Sequence, residues 1–430
     1  MVEVASRCRR GSPRSLRWAV LLSVAGCGSG ATNPDAGSPI DRSAVPGPPA
    51  GHFKGKFVST MLPAVPCCMS GSSNPSAFIT YAETATQKRV VVGGAAAGNA
   101  ASFACTWTAG RLACGKSLPG AAMAVGDVDG DGLLDMLMAT SVAWGDGRLP
   151  TALDLPGGGP ISWALIRGNR VLTIGDAPSQ PNGPPDCKVP TTRLFTWRNG
   201  AFDDQPLDTA GAIGYDNGLA WGTIDGVETV AGCGHQCSLG VTELFQPADG
   251  GTYALASKPD DDLQAASVGA PMGVAMADFD DDGITDIVLT NDPTIQYLHG
   301  KGRLDFQYRL DAHLDEPKKP IAAGHHDDRL LSWDAVAVDL DRDGRLDVCF
   351  ANGVDELRNR NGELDPQWPT CFWNAGGGKF ADVSHDLGLD QFQGQFRHLQ
   401  LADVNGDGWD DLLVGGILQT PPLLLLWQPQ

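Results

Sequence analysis

Residues Ser332–Gly353 read SWDAVAVDLDRDGRLDVCFANG, and within them Asp339–Asp347, DLDRDGRLD, carry carboxylates at the first, third, fifth and ninth places of a window, with a glycine after the third. The same window recurs as DVDGDGLLD at 127–135, DFDDDGITD at 278–286 and DVNGDGWDD at 403–411. All four fit D-x-[DN]-x-D-G-x-x-D. Aspartate and glycine are turn residues, so one copy could be a decorated turn. Four copies in one chain point to a repeated site.

The spacing explains the residue types. A hard dication takes six to eight oxygens, and alternate residues of a tight loop can aim carboxylates at one point while the glycine permits the sharp turn. Two carboxylates about 4 Å apart repel by about 4 kcal/mol at an effective dielectric near 20, and a bound cation turns that repulsion into attraction. The expected ligands are therefore Asp127, Asp129, Asp131 and Asp135; Asp278, Asp280, Asp282 and Asp286; Asp339, Asp341, Asp343 and Asp347; and Asp403, Asn405, Asp407 and Asp411. About four Ca²⁺ ions is the implied complement, one per window. The windows are not EF-hands, which need a glutamate at the twelfth place and flanking helices. Here that place holds Met138, Leu289, Phe350 and Val414, and the flanks alternate or run apolar over a few residues, which is strand patterning.

A strand, an acidic turn and a second strand, followed by a hairpin such as CFWNAGGGKFADVS (371–384), resemble the FG-GAP/VCBS repeats of integrin α-chain propellers, and most nearly the cartilage-acidic-protein-like group. The resemblance is strongest over 272–416, weaker over 120–150 and faint elsewhere. It implies an all-β propeller whose blades are four-stranded meanders, each with two hairpins. The second hairpin is found six times, as FACTWTAGRL, SVAWGDGRL, RLFTWRNGAF, ELFQPADGGTY, IQYLHGKGRL and CFWNAGGGKF. The last repeat ends one strand short in PPLLLLWQPQ, and KGKFVST at 54–60 is the expected replacement, closing a seven-bladed ring and removing an open edge. Blades 2, 5, 6 and 7 carry the acidic window. Blades 1, 3 and 4 do not, using turns in ITYAETATQKRVVVGG, at Gly168-Asn169 and at Asp225-Gly226.

The ends and the composition set the context. Glycine at 55 and proline at 30 of 430 residues suit many short strands, and a net charge of −20 argues against nucleic acid as a partner. Arginines at 7, 9, 10, 14 and 17 precede WAVLLSVAG, an apolar run too short to span a bilayer, and VAGC resembles a bacterial lipobox. The expected organisation is a lipoprotein signal peptide at 1–26, a lipidated Cys27 with a disordered Gly/Pro/Ser/Ala-rich tether to residue 51, and the propeller over 52–430. That places a monomer in the cell envelope of a bacterium, held at the outer membrane only by its lipid. Apart from Cys8 and Cys27, nine cysteines remain, and they suit an oxidising compartment. In CTWTAGRLAC a two-residue turn at Ala109-Gly110 sets Cys105 opposite Cys114 as a non-hydrogen-bonded pair, where Cα atoms sit about 4.5 Å apart, within disulfide reach.

By the same resemblance the windows line one face of the ring, and long connections collect on the other: 176–192, 205–217, 233–241, 255–271, 308–332, 352–369 and 384–397. Loops on a rigid scaffold carry function, so a protein or glycan partner is expected there. Other features have plainer readings. His325-His326-Asp327-Asp328 reads as a polar loop, and Cys233-x-His235-x-Cys237 as a disulfide region rather than a zinc site. Trp144, Trp197, Trp333, Trp373 and Trp409 belong to the repeat, whereas Trp368, in a long loop, could stack on a sugar. His398 could face the central channel. No GxSxG, HExxH, phosphate loop or dinucleotide fingerprint is present. The expected function is an adhesion or interaction module, with a propeller-fold glycan lyase or hydrolase as the alternative and a rigid envelope component without a ligand as a third reading.

Overall fold

The computed structural model describes residues 45–429 apart from 65–75, 97–98, 155–160, 176–190, 208–217, 237–238, 250–251, 258–262, 264–269, 293–294, 310–311, 313, 315–329, 354–366 and 418–419. The signal peptide, Cys27, most of the tether, Cys67, Cys68, Cys187, Cys237, His325–Asp328 and much of the long connections lie outside the described residues.

The short apolar and alternating runs become strands. β1 is Gly55–Thr60. Next come β2–β5 (Ser76–Glu83, Lys88–Ala96, Asn99–Thr108, Arg111–Cys114), the two-residue β6 (Leu118–Pro119), and β7–β10 (Ala122–Gly126, Asp135–Met138, Ser141–Ala143, Thr151–Ala152). β11–β14 cover Ile161–Arg167, Arg170–Gly175, Thr191–Arg198 and Ala201–Pro206, and β15–β18 cover Gly218–Ile224, Val227–Gln236, Leu239–Pro247 and Tyr253–Leu255. β19–β22 are Ala270–Ala277, Asp286–Asp292, Gln296–Gly300 and Phe306–Arg309. β23–β26 are Ser332–Val338, Asp347–Asn352, Thr370–Asn374 and Phe380–Asp382. β27–β29 are Phe396–Ala402, Asp411–Ile417 and Leu423–Pro429. Helix among the described residues is confined to short turns such as Leu389–Gln391.

The strands pair as successive antiparallel meanders in chain order. The exception is the last, β27–β29, whose outer partner is β1, with Phe57 opposite Trp427 and the ladder running from Gly55–Pro429 to Thr60–Leu424. A two-pair link, Ser76 to Ile417 and Ala77 to Gly416, joins this meander to the first. The first strands of the meanders meet in sequence, β2 with β7, then β11, β15, β19, β23 and β27, and β27 touches β2 again. The fold is all-β and propeller-like.

Apolar side chains fill the spaces between neighbouring meanders as separate clusters among the described residues. Between the meanders of β19–β22 and β23–β26, Phe279 and Tyr297 meet Phe380 with ring centroids 5.8 and 6.0 Å apart. Phe279, Tyr297, Phe350, Phe372 and Phe380 are all buried, each contributing about 1.5–3 kcal/mol by leaving water. Where inner strands converge, side chains must vanish: a Cβ on Gly273 would sit 2.5 Å from the Trp333 carbonyl oxygen, and one on Gly353 2.7 Å from that of Phe396. Bulges recur at the start of inner strands, at Ala122/Ala124, Ile161/Trp163, Pro271/Gly273, Ser332/Asp334 and Phe396/His398. Each bends its strand and re-aims the following side chains.

Cys105 and Cys114 are disulfide-bonded across the β4–β5 hairpin, with Cα atoms 3.9 Å apart, as the turn register predicts. A second disulfide, Cys349–Cys371, links facing residues of β24 and β25. The sequence left it open because residues 353–369 separate the two strands and set no register. Cys233 is buried on β16.

Candidate metal centres

Each acidic window joins the first and second strands of its meander: β7 to β8, β19 to β20, β23 to β24 and β27 to β28. The turn is built by its own carboxylates. The first aspartate accepts amides from across the loop: Gly130 and Gly132 on Asp127, Asp282 and Gly283 on Asp278, Asp343 and Gly344 on Asp339, and Gly406, Asp407 and Gly408 on Asp403. The fifth accepts the amide two residues on, at 2.8–2.9 Å in all four. The glycine after it has φ between 83° and 93°. Side chains pay strain there, so glycine is required.

The ninth aspartate has a job that the sequence reading did not anticipate. Asp135, Asp286, Asp347 and Asp411 are at most 1% exposed. One oxygen of each accepts the amide of the window's second residue, Val128, Phe279, Leu340 or Val404, at 2.8–3.0 Å. The other accepts an amide in or just past the third strand, from Gly145, Gly300, Asn374 or Trp427, at 2.7–2.9 Å. This carboxylate brackets the turn to its own sheet. Burial pushes all four up, Asp347 to about 8 and Asp411 to about 7, with the loop carboxylates adding to the rise.

In three windows, three of the four expected ligands come together; Asp131, Asp282 and Asp347 stand outside these carboxylate groups, and no such group is found at 403–411 among the described residues. Single carboxylate oxygens of Asp127, Asp129 and Asp135, of Asp278, Asp280 and Asp286, and of Asp339, Asp341 and Asp343 lie within 4.8 Å of one another. The donor chemistry fits a hard cation, and Asp280 Oδ1 is buried without a hydrogen-bond partner, a lone pair left for a ligand. In the fourth window the Asn405 amide donates to Asp407 Oδ2 at 3.0 Å. Basic groups stand beside the turns: Arg148 pairs with Asp129 and lies 4.0 Å over the Trp144 ring, Arg345 pairs with Asp343, and His52 Nε2 is 2.5 Å from Asp341 Oδ2. Turns also lock to neighbouring meanders. Thr84 and Thr86 hydroxyls donate to the Gly132 carbonyl, and Arg342 reaches the Gly408 carbonyl while lying 3.5 Å over the Trp409 ring.

The meanders of β11–β14 and β15–β18 lack the acidic window and have an ionic clamp instead. Arg170 binds Glu228 through both terminal nitrogens and also reaches the Tyr253 hydroxyl, which donates to Glu228. The Arg170 hydrogen bond is the chief cause holding Glu228 down at about 2. Burial pushes Tyr253 up to about 12.

At the centre, inner strands line a cavity of about 780 Å³ that runs from Trp163 and His398 to the turn at Asp127–Gly132. His398 faces it, as the sequence reading suggested, but sits 4.1 Å from the Trp163 ring and 5.1 Å from Phe78, and burial pushes it down to about 3. Asp334, also lining it, accepts the amides of Ala335 and Leu399, both at 2.9 Å, and burial raises it to about 7. Both groups serve packing and backbone bracketing. Trp368, which as a long-loop residue could have stacked on a sugar, is only 9% exposed. Trp144 and Trp333 are buried in the repeat, and Trp197, Trp373 and Trp409 half-buried.

A family model described as an FG-GAP-like repeat matches residues 339–414. No curated protein matches the chain. Among solved structures, a lectin of Agrocybe aegerita that recognises non-reducing terminal N-acetylglucosamine is similar at 17% identity over 73% of this chain and 81% of that one, with a TM-score of 0.42. A glycosyl hydrolase from Bacteroides ovatus is similar at 7% identity over 63% of this chain and 87% of its own, with a TM-score of 0.37.

Proposed function

We propose that residues 52–430 form a seven-bladed propeller, pinned by calcium at four turns, that serves as a rigid binding module for a protein or glycan. In this reading the chain is exported, cleaved before Cys27 and tethered to a bacterial membrane by that residue's lipid. The observation that carries it is the window geometry. In three windows, single carboxylate oxygens lie within 4.8 Å of one another at the turn that joins the first two strands of a meander. The cyclic contact of the first strands supports ring closure, and the β1–β29 pairing supplies the missing outer strand.

Binding is favoured over catalysis by what the channel groups do. His398 is wedged between aromatic rings, and both oxygens of Asp334 are taken by backbone amides, so neither is presented to a reacting atom. The test is a glycan and protein binding screen with and without calcium, run beside a melting curve. Chelation is expected to lower Tm and abolish partner capture, and calcium to restore both. A melting curve indifferent to chelator refutes the metal assignment, and turnover of a screened glycan would replace binding by catalysis.

A further inference from the structure

The ninth-place bracket aligns the four window-bearing repeats independently of loop sequence. The amides that reach it from the third-strand side belong to Gly145, Gly300, Asn374 and Trp427. The residues just before them are Trp144, His299, Trp373 and Leu426. An indole and an isobutyl group cannot ligate a metal through nitrogen, and an imidazole can. Trp373 shows what the indole does there: its Nε1 donates to Asp341 Oδ2 at 2.8 Å.

His299 is placed differently. Its Nδ1 lies 3.0 Å from Asp280 Oδ2 and 3.4 Å from Asp286 Oδ1, yet it is buried and satisfies no hydrogen bond. Asp280 Oδ1 is likewise buried and unsatisfied, on a side chain 9% exposed. His299 Nδ1 and Asp280 Oδ1 are both buried without a hydrogen bond although Nδ1 stands at ion-pair distance from Asp280 Oδ2, and buried polar atoms left so are costly. They are natural in a coordination shell. With bonds of about 2.1 Å, adjacent ligands stand about 3.0 Å apart in an octahedral shell and about 3.4 Å in a tetrahedral one, without hydrogen bonding to each other. The far ring nitrogen, Nε2, faces Asp282 Oδ2 at 3.9 Å. Asp280, Asp282 and His299 each offer one ligand atom, and these atoms lie within 4.8 Å of one another.

We infer that the window at 278–286 is a mixed nitrogen–oxygen site, in which His299 joins Asp280 and Asp282 around a divalent transition ion such as Zn²⁺, while the other windows are all-oxygen sites. The inference rests on the reading of the windows as cation sites and assigns one of them a different metal class. Imidazole nitrogen raises affinity for borderline ions and adds little for Ca²⁺, which takes oxygen ligands. One repeat of the ring would then respond to a different metal from its neighbours.

The test uses the full chain, stripped of metal and held in excess Ca²⁺, titrated with Zn²⁺ alone and separately with Co²⁺, whose visible spectrum reports nitrogen ligation. The wild-type chain is expected to bind one Zn²⁺ that excess calcium does not displace. His299→Gln is expected to weaken it at least about tenfold and remove the nitrogen-ligated cobalt band, with the calcium-dependent rise in Tm retained. His299→Trp, which installs the residue used by two other repeats, should behave alike. Zinc binding unchanged by either substitution, or absent from the wild-type chain while calcium still stabilises it, overturns the inference and leaves the calcium windows standing. Absence of any dication response in the wild-type chain overturns the window reading itself, and the inference with it.

Discussion

Replacing Asp347 with alanine isolates the bracket from the metal. Asp347 is 1% exposed and holds the buried amides of Leu340 at 2.9 Å and Asn374 at 2.7 Å. It lies outside the convergent group of its window, Asp339, Asp341 and Asp343. Alanine leaves two buried N–H groups without acceptors, each costing about 1–3 kcal/mol, so the expected loss is about 2–6 kcal/mol. At about 2.1 cal/mol/K per residue over roughly 380 residues, that is a fall in Tm of about 3–8 °C. Calorimetry should show this fall in chelator as well as in calcium. Asp343→Asn is the contrast: its carboxylate is more exposed and holds the Arg345 amide at 2.8 Å, so its cost should appear mainly when calcium is present. An Asp347→Ala protein that melts with wild type in chelator refutes the bracket, and so does an equal penalty for the two variants there.

Three further outcomes follow from the packing, the ionic clamp and the leader. Gly273→Ala puts a methyl 2.5 Å from the Trp333 carbonyl and should cost about 1–3 kcal/mol, read as a lower urea midpoint; a neutral effect would deny the close approach of neighbouring inner strands. The Glu228 carboxyl is held near 2 in the fold against an ordinary value of 4.5. Its stabilising contribution is complete above pH 4.5 and fades as pH falls toward 2, so the advantage of wild type over Arg170→Met in urea should shrink across that window, and a constant advantage would remove the clamp's electrostatic origin. Cys27→Ser should shift the protein from the membrane fraction to the soluble one, and retention at the membrane would end the lipobox reading.

Much of the fold is legible in local spacing. The window states its own turn because a carboxylate at the first place and a glycine at the sixth close the loop on residues within five positions, as Asp339 and Gly344 do at 3.1 Å. The Cys105–Cys114 pair was readable for the same reason, since a two-residue turn sets its register. Strand order within each meander followed from counting hairpins. Aligning those hairpins would also have exposed His299, which stands in QYLHG where SVAWG has Trp144.

What the chain alone determined, then, is every feature whose partners are neighbours in sequence: the acidic turns, the hairpins and the choice of strand over helix. Only tertiary structure decided the ninth aspartate's two amides, the Cys349–Cys371 bond, the Arg170–Glu228 clamp and the burial of Trp368. Their partners lie 7 to 58 residues away, across strands whose register depends on packing. Periodicity says which face of a strand is apolar, but which atom of a neighbouring strand or sheet completes a buried carboxylate's shell depends on how the sheets stack.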